Sequence, residues 1–165
     1  MIDWLSSKFA LLVAALLILA SAFAIIGIQR RGIEDLELER IAEDIASVVN
    51  SAALVNAQSC IVVEFGNGRQ GNSFPSQVGG VPYTINLTRT AVLVVQNGKG
   101  FMAVFIESVH LWEPGPNAIE GGREIEEMDE SHRNLQLESG TDFVVERKKV
   151  ETKEGDEYHT FVYTK

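Results

Sequence analysis

Phe9 to Ile28, FALLVAALLILASAFAIIGI, is a run of twenty residues without a charge. A helix rising about 1.5 Å per residue would carry such a run across a bilayer's hydrocarbon. The pattern therefore predicts a transmembrane or assembly helix within residues 1–30. Trp4 stands where an interfacial aromatic would, with Asp3 and Lys8 before the run and Arg30 and Arg31 after it. Beyond Gly32, the apolar positions Ile33, Leu36, Ile41, Ile45, Val48, Ala52 and Val55 fall at helical spacing, with a slip at Arg40. Acidic residues occupy the other positions, so residues 31–59 read as an amphipathic continuation of the helix. No proline interrupts Met1 to Ser59, and the two halves are expected to form one rod. Gly27 and Gly32, each costing about 1 kcal/mol relative to Ala, are the expected bend points.

From Cys60 the period changes to that of strands. CIVVEF, VPYTINLT, TAVLVVQ and GFMAVFIESVHLW come first, followed by NLQLES, DFVVERKKVET and EYHTFVYTK. Asn97-Gly98 is a tight-turn signal, and the connections are short enough for hairpins. The expected fold class is α+β: a long N-terminal helix packed on an antiparallel β-sheet head spanning residues 60–165. Strands Val92–Val95 and Met102–Ile106 are apolar on both faces, so one face needs a cover besides the helix. ERKKVET, with Arg147, Lys148 and Lys149, reads as an edge or solvent strand guarded by charge.

Charge narrows the choice of partners. The net charge of −9 disfavours nucleic acid, which needs clustered Lys and Arg. The acids gather in Glu34–Asp44 and Glu120–Glu130. A single cysteine, Cys60, excludes an internal disulfide, and its place at the head of an apolar strand suggests a buried thiol. The run Phe9–Ile28 also has Ala20, Ala22 and Ala24 spaced as signal-cleavage sites, but it exceeds the usual length of a signal's apolar region. An uncleaved helix is the stronger expectation. Lys8 against Arg30, Arg31 and Arg40 would by itself place the following part in the cytoplasm.

Candidate chemistry is sparse. Gly66-x-Gly68-x-x-Gly71 has the spacing of a dinucleotide fingerprint, but a breaker-rich loop follows it instead of the helix needed to hold a pyrophosphate. No nucleotide, cofactor or metal is therefore expected. His110, His132 and His159 are scattered, with His110 in a strand, His132 in a polar loop and structural roles expected for both. The acidic run Glu124–Glu130 lacks a calcium-loop pattern and reads as a solvated loop. No catalytic residue is assigned, and the chain is not expected to be an enzyme. Asn86-Leu87-Thr88 is a glycosylation sequon, making Asn86 a candidate if the head lies outside the cell. Within the apolar run, Ala10 and Ala14, and Ala20 and Ala24, stand four apart and would let a second helix approach closely.

An apolar helix running into an amphipathic one, then FPSQVGGVPYTINLTRTAVLVV, resembles archaeal type IV pilin-like proteins. The phrase is carried here by Pro75, Ser76, Gly79, Gly80, Pro82, Tyr83 and Ile85. The resemblance implies a structural subunit of a pilus-like filament or pseudopilus. Phe9, Ala10, Ala14, Ala20, Ala24 and Ile28 would mark its assembly helix, and its partners would be other copies or related pilins. It implies residence in the cell membrane before assembly and at the archaeal cell surface afterwards, with the β-domain outside and a role in adhesion open to it. Ser7-Lys8-Phe9 has the residues of a pilin cleavage site in the wrong order, a departure from the family pattern. The competing expectation is a single-pass, membrane-anchored extracytoplasmic binding or adhesion module that does not polymerise.

Overall fold

The computed structural model describes residues 2–66, 73–114, 122–152 and 155–164, with side chains described at all of these except 2–10, 26, 28, 31, 122–124 and 151–152. The chain divides into two compact units, Met1–Leu36 and Glu37–Lys165. Helix α1, Ile2–Ala53, contributes to both and is helical through Gly27 and Gly32.

The first unit is helix throughout its described residues. Every described side chain from Leu11 to Ile25 is exposed, including Leu12, Leu16, Leu17, Ile18, Leu19 and Phe23. Ser21 returns its hydroxyl to the Leu17 carbonyl at 2.6 Å, so its polar group is satisfied within the helix. Arg30 pairs with Glu34 one turn on at 3.1 Å.

The second unit holds every described buried residue. In it, α1 presents Leu38, Ile41, Ala42, Ile45, Ala46, Val49 and Ala52, spaced to share one helix face. The expected stripe is thus corrected at its ends. Ile33 and Leu36 lie in the first unit and are exposed, as is Val55, while Leu38 takes the core position.

Two four-stranded sheets complete this unit. Strands β1 (Ser59–Phe65), β2 (Ser73–Phe74), β7 (Phe143–Thr152) and β8 (Gly155–Thr164) form the first, in the order β2-β1-β7-β8. Strands β3 (Thr84–Thr88), β4 (Ala91–Gln96), β5 (Lys99–Val104) and β6 (Asn134–Glu138) form the second, in the order β5-β4-β3-β6. Alternation decides which residues enter the core. Val63, Phe143, Val145 and Val162 from the first sheet meet Ile85, Leu87, Val92, Val94 and Leu137 from the second in one cluster with the α1 stripe. A second helix, α2 (Gly122–Ser131), supplies Ile125 to a smaller cluster with Trp112, Val150, Phe161 and half-buried Tyr163.

The expected fold class is corrected on these points. Among the described residues no helix is long and apolar enough to cross a membrane. The expectation of a transmembrane helix is corrected on that finding. The β-unit is two sheets in place of one, and β1 pairs with β2 in parallel. Strand β7 is also not an edge: it lies between β1 and β8. Its Arg147 is tolerated in the interior because Glu107 Oε2, at 3.0 Å, and Thr160 Oγ1, at 2.8 Å, both accept from Nη1.

Candidate functional site

Two features stand apart from ordinary core packing: the bare apolar helix of the first unit, and a buried polar chain in the second.

On the helix, Ala14, Ala20 and Ala24 are exposed with the large apolar residues around them. Ala10, Phe9 and Ile28 lie outside the residues with described side chains. Because apolar residues recur on all sides and not along one stripe, no single flank of Leu11–Ile25 is polar enough to be a water-facing surface. Leu19, the least exposed of the four leucines and isoleucines from Leu16 to Leu19, still shows 55 % of its surface. A soluble unit seldom leaves so large a contiguous apolar surface open unless something covers it.

The pilin-like phrase folds into a tied turn. Gly79 and Gly80 adopt φ of 61° and 82°, a left-handed conformation that glycine takes without a Cβ clash. Val78 and Val81 exchange backbone hydrogen bonds across it. Buried Gln96 donates from Nε2 to both carbonyls, Val78 at 3.1 Å and Val81 at 2.7 Å. Tyr83 donates its hydroxyl to the Pro75 carbonyl at 2.6 Å, and burial raises its pKa above the ordinary tyrosine range. These residues act on their own loop, and none forms a cleft. Asn86 is half-buried in β3, opposite Leu93 on β4 and Gln136 on β6. Thr88 of its sequon binds Ala91 through both the backbone N–H and the carbonyl at 3.1 Å.

The polar chain was not legible in the sequence. It joins Asp129 on α2, His110 in the segment after β5, and His159 on β8. Asp129 is 5 % exposed, and its carboxylate accepts from Arg89 Nη2 at 2.9 Å, from Trp112 Nε1 at 3.1 Å and from His110 Nδ1 at 2.9 Å. A carboxylate is acceptor-only, so His110 donates from Nδ1. His159 Nδ1 meets His110 Nε2 at 2.9 Å, and one proton is shared between the two nitrogens. His159 Nε2 is buried without a hydrogen-bond partner, 3.7 Å from Glu157 Oε2. Phe161 packs against the His110 ring and Trp112 meets Phe161 edge to face, both with centroids 5.0 Å apart.

Several expectations change here. The run Glu124–Glu130 is part of helix α2, not a solvated loop, because Ile125 and Asp129, four apart, share the face turned inward. The long strand expected to reach Trp112 stops at Val104, and His110 bridges Phe161 on β8 in parallel. His132 is exposed, its Nδ1 donating to the Met128 carbonyl at 2.9 Å and lying 2.9 Å from Ser131 Oγ. Cys60 is exposed instead of buried, since its side chain falls on the outer alternation of β1. Gly68 and Gly71 of the glycine triplet lie outside the described residues. Among the described residues no cluster of three or more His, Cys, Asp or Glu has the placement to hold a metal ion. The Asp–His–His chain has the order of a proton relay, and its terminal nitrogen is buried.

No protein-family model, no curated protein and no solved structure matches the chain.

Proposed function

We propose that the chain is a structural subunit of a type IV pilus-like filament or pseudopilus at an archaeal cell surface, assembled through its N-terminal apolar helix. The observation that carries this reading is the helix from Leu11 to Ile25, exposed on every described side chain while the second unit buries its own core completely. Burying apolar surface against sister helices releases roughly 25 cal/mol per Å² relative to water. The exposed alanines at 14, 20 and 24 let backbones approach closely enough for that packing. The partners on this reading are other copies of the chain or related pilins. Support also comes from the phrase around Gly79–Tyr83, which resembles the pilin-like pattern.

Filaments sheared from an archaeal host that expresses the full chain provide the test. Electron microscopy with an antibody against the β-unit should label filaments, and a Leu16→Glu/Leu19→Glu variant should yield none. Surface material lacking the chain, or filaments unaffected by that double substitution, would defeat the proposal.

A further inference from the structure

The Asp129–His110–His159 chain runs through three parts of the second unit: α2, the segment after β5, and β8. Helix α2 joins the chain through Asp129 and packs Ile125 against Trp112 and Phe161, and the segment around His110 is held to β8 by two backbone bonds: His110 N to the Thr160 carbonyl at 2.9 Å, and Val162 N to the His110 carbonyl at 2.7 Å. We propose that this chain is a proton-operated clasp, closed while the two histidines share one N–H···N bond and opened when both rings are protonated, releasing α2 and the His110–Trp112 segment from β8.

Geometry dictates the order of events. In the closed neutral form one proton lies between His110 Nε2 and His159 Nδ1, 2.9 Å apart. The first added proton fits without opening the clasp. His110 then donates from Nδ1 to Asp129 and from Nε2 to His159, whose own proton moves to Nε2 and faces Glu157. The second proton does not fit. Both facing nitrogens would carry hydrogen with no acceptor between them, and two cationic rings with centroids 5.1 Å apart would repel. The second proton is therefore the one that breaks the contact between the two rings.

Every charged neighbour bears on the second step. Asp129 from α2 and Glu157 from β8 favour the cation on His159, while Arg147 from β7 opposes it. Arg89, from the turn between β3 and β4, spends its charge on the same Asp129 carboxylate, and Lys148 is the cross-strand partner of His159. Burial is the largest influence and His110 the next, and the net effect holds His159 below its ordinary 6.5. The sign follows from linkage. A histidine with a depressed folded pKa leaves the unfolded chain binding more protons, so stability declines as pH falls below about 6.5 and is undiminished above it.

Hydrogen exchange on the full chain, compared as protection factors at neutral pH and at about pH 5, tests the clasp. Amides of Glu126–Ser131 and of Leu111–Trp112 should lose at least tenfold protection in acid, while those of β3 and β4 hold. His159→Gln, which keeps an uncharged hydrogen-bonding partner for His110, should retain neutral-pH protection and lose most of the acid response. Equal protection of α2 at both pH values, or an undiminished acid response in the variant, would overturn the proposal. Imidazole nitrogen NMR on the unsubstituted chain gives a second readout. It should show the bond between His110 Nε2 and His159 Nδ1 at neutral pH and its loss at about pH 5, and a bond that persists in acid would equally refute it.

Discussion

Gln96 is 6 % exposed and spends both amide protons on the Val78 and Val81 carbonyls, tying a glycine turn to the end of β4. Gln96→Leu would leave those carbonyls without a donor. It should lower stability by about 1–3 kcal/mol in urea unfolding, with the loss appearing in the midpoint and not in the slope. Asn97 and Gly98 turn the following hairpin with φ of 52° and 78°, a type I′ arrangement that suits the twist of β4 and β5. A Cβ at Gly98 meets nothing within 4 Å, so Gly98→Ala is penalised by backbone conformation alone, at about 1 kcal/mol. A calorimetric melt that leaves Gly98→Ala unchanged would contradict that account. The turn at Asn97-Gly98 was plain from the sequence because the type I′ requirement is local. The partnership of His110 and His159 was invisible, because 49 residues separate them and only sheet pairing brings them within 2.9 Å.

Helices and strands were legible to the extent that their period was set by one neighbouring surface. The strands β3, β4 and β6 alternate because each has one face in the core, and their approximate positions follow from that alternation. Strand β7 misled because charge suggested an edge, whereas Glu107 and Thr160 accept from Arg147 in the interior. Helix α2 misled for the opposite reason: of its described side chains only Ile125 and Asp129 are buried, so its sequence is dominated by acids. The division of α1 between exposed and buried residues leads to a paired prediction. Ile45→Ala empties a fully buried position and should cost about 2–5 kcal/mol of unfolding free energy. Leu16→Ala, at a position 57 % exposed, should leave that value unchanged while weakening self-association. Equal destabilisation by both would mean that the N-terminal helix belongs to the folded core.

At the scale of the whole molecule, the separation of duties between the two units is the main result. Glu37–Lys165 contains the whole described core, and nothing buried in it comes from residues before Leu38. The fragment 37–165 should therefore fold alone, with the sheet signal and cooperative melt of the full chain; a broad, non-cooperative transition would contradict this. The formal charge of −9 keeps such a fragment dispersed, whereas the uncharged run Phe9–Ile28 adds no repulsion to oppose association. The sequence pattern pointed to this apolar run correctly but supplied no means to distinguish a lipid neighbour from a protein one. Among the described residues no helix is long and apolar enough to cross a membrane, and the exposed alanines suit a protein neighbour. Sedimentation velocity in detergent-free buffer, on the full chain beside its Leu16→Glu/Leu19→Glu variant, tests this division most directly. The full chain should sediment as a polymer and the variant as a single 18.1 kDa subunit; a full chain that sediments as a monomer would contradict the account.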